Sequence, residues 1–183
     1  MDTLLQYNTE LEACRDIFLR KTADYGTAWR VLRTISVTDQ IYIKAWRIRT
    51  LQEKKVQMVA DDIPGEFKGI VNYAVIGLIQ LEMPGEEPEE IPVKKVEELY
   101  NHHAGVAREL MLQKNHDYGE AWRNMSGEAL TDLILMKLLR IRQILENDGK
   151  TLISEGIDAN YHDIINYALF ALILDAEKKA VAV

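Results

Sequence analysis

The sequence predicts an all-α fold: a tandem duplication of a three-helix unit, packed as a pseudo-two-fold helical bundle. Three observations predict it. An internal repeat divides the chain in half. Apolar residues recur at helical spacing, with no alternating strand pattern and no Gly-rich phosphate loop. The third helix of each half is apolar nearly all round, so it must be buried, and a unit of about 80 residues has little room to bury it alone.

The repeat is the firmest of these. Lys21-Thr22-Ala23-Asp24-Tyr25-Gly26-Thr27-Ala28-Trp29-Arg30 recurs as Lys114-Asn115-His116-Asp117-Tyr118-Gly119-Glu120-Ala121-Trp122-Arg123. Between residues 7–53 and 100–146, 19 of 47 positions are identical without a gap. Chance would give about three. After a one-residue slip, Ile70-Val71-Asn72-Tyr73-Ala74 matches Ile164-Ile165-Asn166-Tyr167-Ala168. The copies are therefore expected at 1–82 and 93–183. The Pro- and Glu-rich stretch 83–92 reads as a solvated linker between them.

Each copy reads as three helices. The first spans about Thr3–Lys21 and Val93–Lys114, with Gly26 and Gly119 suited to a left-handed cap beyond it. The second spans about Thr38–Gln57 and Thr131–Asn147, with Thr38 and Thr131 as expected N-caps. The third spans about Pro64–Leu81 and Ser154–Lys178, with Pro64 in the first turn and Ser154 as N-cap. Packing the third helices together at the centre buries both.

Composition bounds the function. The net charge is −7, which argues against a broad grip on duplex nucleic acid. A local cluster of Lys and Arg can still hold a phosphorylated small molecule. There is no membrane-length apolar run and no signal-peptide pattern, so a cytoplasmic location is the expectation. The single cysteine, Cys14, forms no internal disulfide. It aligns with Ala107, which argues against a shared catalytic thiol.

The third helix of copy two carries the most chemistry. Glu155, Asp163, Asn166 and Tyr167 fall at i, i+8, i+11 and i+12, on one side of a helix. A carboxylate on a helix entering a core must be paired, hydrogen-bonded or on a metal. Two readings stay open: Asp163 pairs with a core Lys or Arg, or it binds Mg²⁺ or Mn²⁺ beside a phosphate. In copy one Asp61 stands for Glu155, but Gly69 stands for Asp163. A single competent site is therefore expected in copy two.

Lys137 and Arg140 share a face of the second helix, as do their twins Lys44 and Arg47. They read as phosphate contacts or as interhelical salt bridges. Asp117, Tyr118 and Trp122 follow the first helix. They read as ligand or base contacts, alongside Asn166, or the tryptophan reads as a plug closing its unit. The four histidines lack counterparts in copy one and read as surface residues. His102-His103 is not a zinc spacing.

Lys114…Gly119 (Lys-x-x-Asp-Tyr-Gly), Lys137…Ile141 (Lys-x-x-Arg-Ile) and Glu155…Tyr167 (Glu-x7-Asp-x2-Asn-Tyr) resemble, in order and spacing, nucleotide modification associated domain 1. That resemblance covers most of each copy and implies a link to nucleotide or base modification. The chain also looks similar to the all-α pyrophosphohydrolases of the MazG and dimeric dUTPase type, which are often dimeric. This implies Glu155 and Asp163 as catalytic metal ligands with Asp132 as a third, a bound Mg²⁺ or Mn²⁺, and a homo-oligomer. Under it the chain is a nucleotide pyrophosphohydrolase. One departure favours a nucleotide-binding module without turnover: the MazG Glu-x-x-Glu-Glu cluster is absent, and the middle helix offers only Asp132 beside Lys137 and Arg140. A purely structural helical scaffold is the third reading.

Overall fold

The computed structural model describes residues 2–60, 62–83 and 90–181. Among the described residues six α-helices follow one another: α1 Thr3–Tyr25, α2 Thr34–Lys54, α3 Ile63–Glu82, α4 Val93–Tyr118, α5 Gly127–Glu146 and α6 Ile157–Val181. Two short 3-10 turns, Ala28–Val31 and Ala121–Asn124, hold the repeated Trp-Arg pairs. No strand occurs among the described residues, and none of their helices is long and apolar enough to cross a membrane. The all-α duplicated architecture is as the sequence predicts.

The two glycines end the first helices of each copy. Gly26 and Gly119 have φ of 60° and 58°, and each donates its N–H back to the preceding turn. Such backbone angles strain any residue with a Cβ. The predicted caps of the second helices are corrected. Thr38 and Thr131 lie one turn inside α2 and α5, where each hydroxyl donates to the carbonyl four residues back. Ser126 caps α5 by accepting from the Ala129 N–H. Asp62 caps α3, and Pro64 stands in its first turn. Ser154 is no cap either, because α6 begins only after Gly156. Most of the expected linker, residues 84–89, lies outside the described residues. Its end is docked rather than solvated: Ile91 is buried and its N–H donates to Thr27 Oγ1.

The third helices form the centre, α3 packing along α6. They come so close at Gly77 that a Cβ there would sit 2.6 Å from the Tyr161 ring. Pairs of reciprocal contacts then join the copies. Tyr7 of copy one donates its hydroxyl to Asn166 Oδ1 of copy two at 2.7 Å. Tyr100 of copy two donates to Asn72 Oδ1 of copy one at 2.9 Å. Each asparagine also donates to its own copy's first helix, Asn166 to the Ala107 carbonyl and Asn72 to that of Cys14. At the α2–α5 seam Arg142 binds Asp39 at 2.7 Å, and its twin Arg49 reaches Asp132 at 3.5 Å.

These contacts are the signature of a pseudo-two-fold: residue i meets j, and the twin of j meets the twin of i. They also correct two expected site residues. Asn166 is 4% exposed with its amide committed to protein partners, so it is part of the seam rather than a ligand contact. Asp132 lies at the α2–α5 seam with Arg49.

Replacing Asn166 with Ala leaves the buried Tyr7 hydroxyl without its acceptor, at about 1–3 kcal/mol for an unsatisfied group; the Ala107 carbonyl loses only its second donor. Urea denaturation should show Asn166→Ala less stable by about 1–3 kcal/mol. Asn8→Ala, on the exposed arginine contact of the same seam, should stay within about 0.5 kcal/mol of the parent.

Candidate functional site

In copy two, α6 brings Asp163 between two lysines. Lys114 Nζ, from the end of α4, lies 2.6 Å from Oδ1, and Lys137 Nζ, from α5, lies 2.5 Å from Oδ2. The Lys137 and Asp163 side chains are 8% and 10% exposed. Burial alone would push the Asp163 carboxyl up, but the two lysine hydrogen bonds and charges outweigh it and hold the group below its usual range. Burial opposes the charge of Lys114 too, and Asp163 overcomes it, so that ammonium is held above its usual range. Of the two readings of Asp163, the structure shows the paired one.

The three acids expected to share Mg²⁺ or Mn²⁺ do not come together as a ligand set. Each Asp163 oxygen is paired with an ammonium group, and Asp132 faces Arg49 at the seam. Glu155 is exposed in the loop before α6, close enough to influence Lys114 and Tyr167 but not on the helix. The residues present do not fit a metal held by these three.

Copy one solves the same problem one turn away. Gly69 replaces the aspartate, and the Lys44 stem lies across it; a Cβ there would meet Lys44 Cε at 2.9 Å. The acid is instead Glu66, which aligns with Asn160 of copy two. Glu66 accepts from Lys44 at 3.1 Å and from Arg47 at 2.7 Å. Of the expected phosphate contacts, Lys44, Arg47 and Lys137 are thus engaged in ion pairs. Arg140 is exposed, with no ion pair among the described residues. The shift of the acid exchanges the cations: copy two pairs the first-helix lysine, Lys114, whereas in copy one Lys21 has no ion pair among the described residues.

Lys21 faces a cavity of about 600 Å³ in copy one. Lys21, Lys44 and Lys68 line it together with Asp62 and Glu66. Phe18, Tyr25, Trp29 and Tyr73 supply aromatic wall, and the first turn of α3 contributes Gly65. The Trp29 indole Nε1 is buried there without a hydrogen-bond partner.

Copy two packs differently at the equivalent place. Phe170 stands where copy one has Ile76, and Trp122 stacks on it at 4.2 Å, nearly parallel. Trp122 Nε1 donates to Asn115 Oδ1 at 3.1 Å, where copy one has Thr22. Arg123 covers the other side of the ring. Trp122 thus lies between Phe170 and Arg123, with its N–H committed to Asn115. Tyr118 is 73% exposed at the end of α4, and among the described residues Asp117 pairs with His116. Neither lines the copy-one cavity, although Tyr25, the twin of Tyr118, does. Cys14 is fully buried, and burial pushes its thiol up to about 12, which makes it inert.

Several residues here were not singled out by the sequence as site residues: Glu66, Lys21, Lys68 and Tyr73. The signal for Glu66 lay in the alignment, since an acid appears one turn before the gap left by Gly69.

The geometry describes a protein of two related helical units, one with its buried acid paired to two lysines and one with a basic, aromatic cavity. The chain belongs to the nucleotide modification associated domain 1 family, whose model matches twice, over residues 21–81 and 114–174. No curated protein and no solved structure matches it.

The lock in copy two has a pH signature. The Asp163 carboxyl is lowered from an ordinary value of 3.8, so its stabilisation is complete above that value and is lost as pH falls through the lower folded-state value. Near neutral pH Asp163→Asn should cost about 3 kcal/mol, because it leaves two cations around a neutral amide. Thermal melts of parent and variant should converge as pH drops below 3.8. A gap in melting temperature that persists unchanged in acid would contradict the lock.

Proposed function

We propose that copy one binds a nucleotide or related phosphorylated small molecule in its cavity without hydrolysing it, while copy two serves as its structural partner. One observation carries the reading: a cavity of about 600 Å³ that combines cations and aromatic faces. That volume falls in the range of small-molecule sites, roughly 300–1,000 Å³. Phosphate oxygens suit Lys21 and Lys68, neither of which has an ion pair among the described residues. The positive end of the α3 dipole adds to their field. A base suits the aromatic faces of Trp29 and Tyr25.

The family's name, which refers to nucleotide modification, supports the same ligand class. Binding is favoured over pyrophosphohydrolysis because the acids that hydrolysis would use on the MazG pattern are spent or scattered: Asp163 on two lysines, Asp132 on Arg49, and Glu155 in a loop.

Calorimetry with ribo- and deoxyribonucleoside mono-, di- and triphosphates, with and without Mg²⁺, tests the proposal. At least one should bind, and Lys21→Ala should weaken it by about tenfold or more, the value of a charged hydrogen bond. Gly69→Asp places a carboxylate against Lys44 and should weaken it as well. Arg140→Ala, on the exposed face of copy two, should have no effect. Pyrophosphate release, or binding lost in Arg140→Ala but retained in Lys21→Ala, would overturn the proposal. Failure of every nucleotide to bind would leave the scaffold reading.

A further inference from the structure

The junction between the copies carries a side-chain group that the nucleotide cavity does not use. Glu82 is the last residue of α3, and His102 and His103 are adjacent on α4. Among the described residues they form the one group of three His, Cys, Asp or Glu whose ligand atoms all lie within 4.8 Å of one another. Glu82 Oε2 lies 2.7 Å from His103 Nε2. That nitrogen is buried, yet it makes no aligned hydrogen bond. The His102 ring stands edge-on to that of His103, with centroids 5.1 Å apart. A simple salt bridge would account for Glu82 and His103. It leaves unexplained a second imidazole whose ring nitrogen lies within 4.8 Å of the same carboxylate.

Copy one has Thr9 and Glu10 where copy two has His102 and His103. The histidine pair is therefore no requirement of the shared helical unit. Successive residues on a helix diverge by about 100°, which is why the sequence reading set this pair aside as a zinc spacing. The ring nitrogens nonetheless converge at the end of α3. None of the three residues lines the copy-one cavity.

From this arrangement the geometry points to a divalent transition-metal site at the junction, made by Glu82, His102 and His103. Two imidazoles and one carboxylate suit a borderline ion such as Zn²⁺, whereas Mg²⁺ prefers an all-oxygen octahedron. Zn–N bonds of about 2.0–2.1 Å require the ligand atoms to close in further. Glu82 and His102 are exposed and free to rotate toward the ion. Their exposure also leaves a coordination position open to water. A bound ion clips the end of α3 to α4, so it stabilises the folded chain by binding it preferentially.

The test uses the full chain, titrated with ZnCl₂ in a calorimeter and melted with ZnCl₂ or MgCl₂. One Zn²⁺ per chain should bind and raise the melting temperature, and Mg²⁺ should not. His102→Ala and Glu82→Gln change exposed side chains, so both variants should fold. Each should weaken Zn²⁺ by about tenfold or more, at least the loss seen when a ligand's supporting partner is removed. His116→Ala, elsewhere on α4, should leave binding unchanged. No saturable Zn²⁺ binding, or binding that survives in the His102→Ala/Glu82→Gln double variant, would overturn the site.

Discussion

The exchange of hydrogen bonds between Tyr7 and Asn166, and between Tyr100 and Asn72, is the constraint on which the rest of the molecule depends. Both amides lie where the most apolar helices meet, in surroundings that penalise an unpaired polar group by about 1–3 kcal/mol. Each is satisfied only when the other copy supplies a tyrosine hydroxyl and its own copy supplies a backbone carbonyl. The bridges therefore fix the register of the two units. Apolar packing makes the bundle stable, but it tolerates sliding; a buried hydrogen bond with a single geometric solution does not.

With the seam fixed, the copies diverged in the space beneath it. Each needs an acid on its third helix to neutralise cations from its second. Copy two uses Asp163, within reach of Lys114 and Lys137. Copy one uses Glu66, one turn earlier, and reaches Lys44 and Arg47 instead. That displacement leaves Lys21 facing a cavity. A second change acts with it: Ile76 in place of Phe170 removes the ring on which Trp122 stacks, and Thr22 in place of Asn115 removes the acceptor of the indole N–H. Modest substitutions thus separate the two units.

The helices were legible because apolar periodicity and repetition are local, redundant signals. Gly26 and Gly119 marked their caps correctly, since a left-handed turn selects glycine with little regard to context. Thr38 and Thr131 misled because a threonine hydroxyl satisfies a helix N-terminus and a mid-helix carbonyl almost equally well. Glu155 was placed on α6 by extrapolating a period past Gly156, where the helix had not yet begun. Asp163 was recognised as a buried acid, but its partner set was not, because Lys114 comes from a helix end far away in sequence.

By itself the sequence determined the duplication, the six helices and the central place of the third pair, because those follow from periodicity and from the need to bury apolar surface. It also determined which side chains had to find partners. Only the tertiary structure decided which partners they found. An ion pair, a stacked ring and a cavity each depend on distances between helices that one turn or one methylene alters. The copy richer in acids proved to be the locked one, and the open space lies in the copy that lost its aspartate.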